Sequence, residues 1–127
     1  RYRAINEFEA RQAAAGAKIV KVMLHISRDE QKNRLLARLD DPAKQWKYSS
    51  GDLKERAFWP DYMDAYQKAF EKTNTELAPW HVVPANKKWY ARIAVQQLLL
   101  EAIDDLKLQW PVPDLDLDLE RELVRRS

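Results

Sequence analysis

The sequence contains no cysteine, and this absence removes several classes of site. Without a thiol, the chain forms no disulfide, holds no metal through thiolate ligands and uses no cysteine nucleophile. A cysteine-free composition is typical of a reducing compartment, so we expect a cytoplasmic protein. Long apolar runs are also missing. None approaches the ~18 residues of a membrane span, and no signal-peptide pattern opens the chain, so we expect no membrane partner.

Glycine and histidine are scarce as well, with two residues of each. Neither G-x-G-x-x-G nor G-x-x-x-x-G-K-[ST] occurs, so any glycine loop that cradles phosphate must lie outside this segment. His25 and His81 each lack a second histidine at the spacing of metal ligands, and we predict no metal site formed by protein side chains. The chain also opens without an initiator methionine, and we expect a mature or cut fragment.

Charge is abundant but nearly balanced, with 22 basic and 20 acidic residues. Its placement is more informative, because residues 41–59 interleave basic side chains with aromatic rings. Phosphates repel one another, so a groove for a polyphosphate chain needs many cations, with arginine as a bidentate donor and lysine as a point charge. An ordinary solvated helix face is the alternative for any one of these residues. The predicted polyanion site consists of Arg34, Arg38, Lys44, Lys47, Lys54 and Arg56.

Two tryptophans in the same stretch are candidates for contact with a nucleobase. Trp46 and Trp59 offer flat rings on which a base can stack. Packing in a hinge or in the core is the alternative interpretation, and it is the commoner use of tryptophan. Acidic residues such as Asp52 and Glu55 lie beside lysines and arginines, so we expect them to form solvated ion pairs.

Hydrophobic periodicity predicts an α/β order of helices and short strands. Strands are expected at residues 18–26 and 80–83, which are apolar at nearly every position, as in a parallel sheet buried on both faces. Ser27 should cap one helix through a capping box with Glu30, and Asn86 should cap the last long one. The predicted helices are residues 2–15, 28–39, 51–73, with a kink or a fresh start at Pro60, and 87–106, with Trp89, Ile93, Leu100 and Ile103 facing inward.

Two strands do not make a stable parallel sheet by themselves. We therefore interpret residues 1–110 as the second half of a doubly wound α/β domain whose first strands are missing. Residues 111–127 alternate aspartate and leucine and then become charged. We expect this tail to be mobile or to lie on a partner.

Several long motifs resemble the polyphosphate kinase 2 family, and most closely its polyphosphate:nucleotide phosphotransferase branch. The resemblance runs in order along the chain to about Trp110, and several motifs are long. The motifs are RYRAINEFE at 1–9, KVMLHISRDEQ at 21–31, RLLARLDDPAKQWKYSSGDLKERAFW at 34–59, DYMDAYQKAF at 61–70 and TNTELAPWHVVPANKKWYAR at 73–92.

The resemblance implies a C-terminal part of a P-loop kinase-like domain, similar to thymidylate kinases, with a helical lid over residues 34–60. It implies transfer of a phosphoryl group between inorganic polyphosphate and ADP, AMP or GDP, with Mg²⁺ held mainly by phosphates and by residues outside this segment. The family's phosphate loop and catalytic aspartates precede the segment, so we expect no catalytic residue here. Asn86 stands where the family usually has aspartate, which puts a carboxylate role at that position in doubt.

Two functions follow as hypotheses. The first is a polyphosphate-dependent nucleotide kinase, of which this segment alone is inactive. The second is a non-catalytic polyanion-binding module or subunit. A third, weaker interpretation is a helical interaction domain that uses the tail. We expect a homo-oligomer and no nucleic-acid partner.

Overall fold

The computed structural model describes residues 1–127 and confirms the α/β order. Two five-residue strands pair in parallel, from Lys21 opposite Trp80 to His25 opposite Pro84. A short 3₁₀ turn at Gln45–Lys47 interrupts the chain after the second helix. The other elements are α1 (Tyr2–Ala14), β1 (Lys21–His25), α2 (Arg28–Asp40), α3 (Gly51–Ala57), α4 (Trp59–Thr73), β2 (Trp80–Pro84), α5 (Lys88–Asp105) and α6 (Leu117–Arg126).

Two helices, and not one, occupy residues 51–73. This confirms the fresh start that was one of the two predicted outcomes at Pro60, the other being a kink. α3 ends at Ala57 and α4 begins at Trp59, with the proline in its first turn. Proline is tolerated there because the first N–H groups of a helix have no intrahelical partner. The break separates the short helix α3 from the long helix α4.

Ser27 caps α2 as predicted, because its hydroxyl oxygen accepts a hydrogen bond from the Glu30 N–H at 3.1 Å. The second half of the capping box is absent. The Glu30 carboxylate binds Arg34 instead, and the Ser27 N–H donates to the carbonyl oxygen of the Asn86 side chain at 2.9 Å. The prediction that Asn86 caps α5 is therefore wrong, since its side chain binds Ser27 at the end of the neighbouring strand. Lys87 occupies the N-cap position of α5 and makes no capping hydrogen bond through its side chain.

The two-stranded sheet lies between two helical layers. On one face, Val83 and Ala85 form a small core with Ala91 of α5, and Val22 and Leu98 pack around it. Small residues on α5 let the helix approach the sheet closely. The inward side of α5 is thus the side of its alanines.

The other face of the sheet packs on α1 and α4 around one lysine. The Lys21 ammonium lies 2.8 Å from the Glu9 carboxylate, 2.5 Å from the Thr73 carbonyl oxygen and 5.2 Å from the centre of the Trp80 ring. Both charged side chains are about nine-tenths buried. The Trp80 ring also packs on Phe70, with 5.2 Å between centroids. These contacts join α1, β1, α4 and β2 at the amino end of the strands.

The core is small for a chain of this length, because only 7 of 127 residues are buried. The molecule exposes 10678 Å², whereas a folded monomer of its mass exposes roughly 7,000 Å². Many large apolar side chains are among the exposed residues, including Trp110 at 94% and Leu108 at 71%. Apolar faces of several elements are therefore uncovered in the isolated chain.

The predicted inward face of α5 is wrong. Its four members are all more than half exposed, and the residues that turn toward the sheet include Ala91, Leu98 and Ala102. The hydrophobic periodicity of α5 gave the wrong inward face because this helix is apolar around most of its circumference. Periodicity therefore does not select one side of it. The exposed four are Trp89 at 63%, Ile93 at 57%, Leu100 at 61% and Ile103 at 55%.

The tail contains a helix that the sequence interpretation did not include. α6 spans Leu117–Arg126, and the Asp116 carboxylate caps it by accepting from the N–H groups of Asp118 and Leu119 at 3.1 and 3.0 Å. Every residue of α6 is exposed. None of the helices combines the length and the apolar character that crossing a membrane requires.

Candidate functional site

A cleft of about 480 Å³ lies beside the carboxyl end of β1, between α2 and the α3–α4 pair. Ligands of open α/β sheets gather at this end of the strands, where the loops diverge. The apolar stripe of α4 forms one wall and the polar side of α2 forms the other. The lining includes His25 and Ile26 of the first strand end, Gln31, Arg34, Leu35 and Arg38 of α2, Asp52, Glu55 and Arg56 of α3, and Trp59, Tyr62, Met63 and Tyr66 of α4.

The structure brings four of the predicted site residues to this cleft, namely Arg34, Arg38, Arg56 and Trp59. Two carboxylates, Asp52 and Glu55, line it as well, so guanidinium groups outnumber carboxylates by one. A cleft with excess guanidinium and an aromatic wall can bind an anion together with a flat ring.

Arg34 is the most constrained of the three arginines. Its Nε donates to the Glu30 carboxylate at 2.8 Å, and its Nη2 donates to the carbonyl oxygens of Ala85 at 2.6 Å and Asn86 at 3.3 Å. These bonds join α2 to the loop after β2. Only Nη1 makes no hydrogen bond to the protein, so Arg34 has one terminal nitrogen left for a ligand.

Arg56 joins α3 to the beginning of α2. Its Nη1 donates to the Arg28 carbonyl oxygen and to the Gln31 side-chain oxygen, both at 2.7 Å. Arg38 is less engaged, since its Nη1 lies 3.9 Å from the Asp52 carboxylate and the side chain is 42% exposed. Both arginines therefore keep donors for an anion while they position α3 over the cleft.

The predicted lysines and Trp46 lie outside the cleft, on the 3₁₀ turn and the exposed side of α3. Lys44 pairs with the Asp41 carboxylate at 2.5 Å, and Lys47 lies 5.0 Å from the centre of the Trp46 ring. Lys54 is exposed and forms no ion pair. Trp46 is 77% exposed, and its ring N–H donates to the Ala43 carbonyl oxygen at 3.0 Å. These side chains form a rim beyond the cleft.

The contact between Lys44 and Asp41 changes the acidity of the carboxyl group. The hydrogen bond from Lys44, followed by one from the Ala43 N–H, lowers the pKa of Asp41 below its ordinary value. Because Lys44 is exposed and Asp41 is partly exposed to solvent, an arriving anion competes directly with Asp41 for the lysine.

Tyr62 is a cleft residue outside the set predicted from the sequence. Its hydroxyl donates a hydrogen bond to the Glu55 carboxylate across the break between α3 and α4. This hydrogen bond, and then the charge of Glu55, raises the pKa of Tyr62 above 10.0. The contact joins two different helices, so helical spacing in the sequence does not predict it.

The side chains of this segment do not fit a Mg²⁺ site of their own. Mg²⁺ takes six oxygen ligands in near-octahedral geometry, and no group of three histidine or carboxylate side chains lies close enough to hold a metal ion. Within the cleft, Asp52 faces Arg38, and Glu55 accepts a hydrogen bond from the Tyr62 hydroxyl.

Comparisons with known proteins agree with the motifs. The family model described as Polyphosphate kinase 2 (PPK2) matches residues 1–111. An AMP/ADP-polyphosphate phosphotransferase from Meiothermus ruber is 49% identical over 114 residues, which is 90% of this chain and 43% of the relative. An ADP-polyphosphate phosphotransferase from Rhodopseudomonas palustris is 49% identical over 87% of this chain and 38% of the relative.

A solved structure shows the same similarity to polyphosphate kinase 2. The crystal structure of Polyphosphate Kinase 2 from Arthrobacter aurescens TC1 superimposes with a TM-score of 0.94 at 70% sequence identity, covering 99% of this chain and 45% of that one. The chain thus spans less than half the length of the two curated relatives and of this solved structure.

Proposed function

Because this chain belongs to the polyphosphate kinase 2 family, we propose that it is the lid-bearing, C-terminal part of a polyphosphate-dependent nucleotide kinase. The reaction is phosphoryl transfer between inorganic polyphosphate and a nucleoside mono- or diphosphate. The names of the relatives, which specify AMP, ADP and polyphosphate, support these substrates. The observation that carries the proposal is the cleft at the end of β1, lined by three arginines and bounded on one side by α3 and α4.

In this proposal the three arginines have different tasks. Arg38 and Arg56 bind phosphate oxygens within the cleft, because each has nitrogens that no protein group uses. Arg34 holds α2 against the loop after β2 and offers one nitrogen to the ligand. A fixed guanidinium loses little entropy when it binds a phosphate, so the constraint favours binding.

The rim lysines bind the part of the polyphosphate chain that extends beyond the cleft. Lys44, Lys47 and Lys54 carry point charges on flexible stems, which suits a repeating anion without a fixed register. Trp59, in the cleft wall, is our candidate for stacking on the base. Trp46, at the rim, is a second candidate and packs beside Lys47.

Phosphoryl transfer depends mainly on positioning and on neutralising charge, and it requires little covalent chemistry from the protein. We place the phosphate loop, the catalytic aspartates and the residues that hold Mg²⁺ outside this segment, in the part of the relatives that it does not match. That ion, when bound, neutralises charge on the phosphates. The 127-residue segment alone is therefore inactive in this proposal.

The missing part would also complete the sheet. We propose a P-loop kinase-like, doubly wound sheet, because β1 and β2 are parallel and have helices on both faces. Residues 1–110 form its second half. The cytoplasm remains the expected compartment, on the ground of the cysteine-free composition.

A non-catalytic polyanion-binding module is the second candidate, and the rim favours it because Lys47 and Lys54 need no catalytic apparatus to bind phosphate. The two candidates differ in one assay. A complete chain that contains this segment, supplied with polyphosphate, Mg²⁺ and ADP, should form ATP, and the Arg38→Ala variant should lose most of that rate. The matched control is Lys68→Ala on the exposed side of α4, which should retain it.

Failure with ADP, AMP and GDP alike would contradict the kinase. Polyphosphate binding that persists in such a protein, with an affinity that falls steeply with salt, would favour the binding module.

A further inference from the structure

Gln31, on the wall of the cleft that α2 forms, holds the guanidinium of Arg56 through a neutral oxygen. The Arg56 Nη1 donates to the side-chain oxygen of Gln31 and to the carbonyl oxygen of Arg28, both at 2.7 Å. Gln31 and Arg56 both line the cleft, and both are half-buried. Since neither acceptor is charged, Arg56 keeps its full positive charge while two hydrogen bonds fix its position.

The preceding residue of α2 makes a contact of the opposite kind. The Glu30 carboxylate accepts from the Arg34 Nε at 2.8 Å, so this guanidinium is paired with a negative charge. Such a pair braces the structure but leaves little net charge for a ligand. Glu30 and Gln31 therefore each hold one arginine, and only the arginine held by Gln31 keeps its charge for an anion.

The three cleft arginines also differ in which nitrogens are still free. A guanidinium binds a phosphate through two nitrogens at once, along the Nη1/Nη2 edge or the Nε/Nη2 edge. In Arg34 both Nε and Nη2 are used, so neither edge is complete. Arg56 uses only Nη1, which leaves its Nε/Nη2 edge whole. Arg38 has free edges as well, but its contact with Asp52 at 3.9 Å is too long for a hydrogen bond to fix it.

Arg56 is thus the cleft arginine that combines a fixed position, an unpaired charge and a complete two-nitrogen edge. We propose that Gln31 is a positioning residue, which holds Nη1 so that the Nε/Nη2 edge of Arg56 binds two oxygens of one phosphate group. That phosphate can belong to polyphosphate or to the nucleotide, and the role rests on the proposed function of the cleft. A guanidinium that is already fixed loses little side-chain entropy when it binds.

The first test is Gln31→Glu, which keeps the hydrogen bond but replaces the neutral acceptor with a charged one. A carboxylate accepts from Arg56 at least as strongly as an amide oxygen does, so the fold should be no less stable. Polyphosphate binding should nevertheless weaken about fivefold at about 0.1 M salt, and the slope of log affinity against log salt should flatten by about 0.7, as for one lost phosphate contact. A merely structural role for Gln31 would leave the affinity and the slope unchanged.

The second test, Gln31→Met, separates orientation from charge. Methionine has a similar length but offers only a weak acceptor, so Arg56 keeps its charge and loses one of its two bonds. The salt slope should therefore stay the same, while the affinity falls about two- to threefold, at the lower end of the cost of ordering a long side chain. In an Arg56→Lys background, which has no two-nitrogen edge, Gln31→Met should cause no further loss.

The variants are made in a complete chain that contains this segment. Binding is read by the fluorescence anisotropy of end-labelled polyphosphate and, separately, of labelled ADP, and a loss confined to one ligand identifies whose phosphate Arg56 binds. The matched control is Asn33→Asp, the same change from amide to carboxylate on α2. Asn33 is exposed, does not line the cleft and lies about 200° around the helix from Gln31, so this variant should bind as the unchanged protein does. Urea denaturation of each variant measures its stability.

Several results would overturn the proposal. Unchanged binding of both ligands by Gln31→Glu is one, and an equal loss in Asn33→Asp is another. A further loss caused by Gln31→Met in the Arg56→Lys background would mean that Gln31 contacts the ligand itself. Failure of the unchanged chain to bind either polyphosphate or ADP would also overturn it. Formation of ATP is measured separately, so a chain that binds these ligands but forms no ATP contradicts the proposed kinase, and the binding assays still decide the role of Gln31.

Discussion

Replacing Lys54 with alanine is expected to weaken polyphosphate binding more than the same change at Lys44. The two lysines carry the same charge on the same rim, but their surroundings differ. Lys44 must leave the Asp41 carboxylate, 2.5 Å away, before it binds a phosphate. Lys54 has no acidic partner to leave. The net gain of charge neutralisation is therefore larger for Lys54.

Counterion release gives the size of the effect. A cation that neutralises one phosphate of a single-stranded polyanion contributes about 0.7 to the slope of log affinity against log salt. At about 0.1 M salt this corresponds to roughly fivefold in affinity for each contact. Lys54→Ala should therefore lose about fivefold and flatten the slope by about 0.7. Lys47→Ala should behave in the same way, since its only neighbour of note is the Trp46 ring, whereas Lys44→Ala should lose clearly less.

The assay is a polyphosphate titration at several salt concentrations, read by the fluorescence anisotropy of end-labelled polyphosphate. Lys68→Ala, exposed on α4 and away from the lid, controls for general loss of charge. Equal slopes for Lys44→Ala and Lys54→Ala would refute the argument from Asp41. A loss in the control as large as in the lid variants would refute the rim as the binding surface.

Three further predictions concern the contacts around the sheet and the cleft. Lys21→Met leaves the Glu9 carboxylate buried without its cation and should lower the free energy of unfolding, measured by urea denaturation, by about 3–5 kcal/mol. Adding Glu9→Gln to this variant should restore part of the lost stability. A decrease in stability below about 1 kcal/mol in Lys21→Met would contradict the buried pair. Arg34→Lys cannot reproduce the contacts to two carbonyl oxygens and should cost about 1.5–3 kcal/mol in the same measurement, so unchanged stability would argue against its bracing role. Glu55→Gln should bring the raised pKa of Tyr62 back toward 10.0, which a titration followed by tyrosinate absorbance would show. Because the pKa of Tyr62 is raised in the folded state, the contact stabilises the fold fully below pH 10, and this stabilisation is lost as the pH rises through the folded-state pKa. A titration that does not shift in the variant would exclude the contact.

The helices and strands were largely predictable from the sequence because their signals are local. Ser27 caps α2, Pro60 restarts a helix, and both strands are confirmed. Their predicted burial on both faces is wrong for this chain, since Leu24 and Val82 are more than half exposed. The orientation of α5 was not predictable, since a helix apolar on nearly all sides has no preferred face until its neighbours are known. α6 was missed because its leucines alternate with aspartates, and alternation suggests no helix before the Asp116 cap is considered.

The cleft was predictable in part. The charge pattern identified Arg38 and Arg56, which line it, but the same pattern included lysines of the rim that the fold places outside. Composition counts charges along the chain, and it carries no information on which of them face one another. The role of Arg34 in joining α2 to the loop after β2 depends on two carbonyl oxygens about fifty residues away. Backbone acceptors have no sequence signature, so contacts of this kind appear only in the folded molecule.

The pair formed by Ser27 and Asn86 has an evolutionary consequence. The asparagine accepts from the Ser27 N–H at 2.9 Å and donates to the Ser27 hydroxyl at 3.3 Å. Aspartate at position 86 would keep the first bond but could not donate the second, so the serine hydroxyl would have to donate instead. A glycine or alanine at position 27 would remove that option. Substitutions at the two positions should therefore co-vary among relatives, with aspartate at 86 accompanied by a hydroxyl at 27.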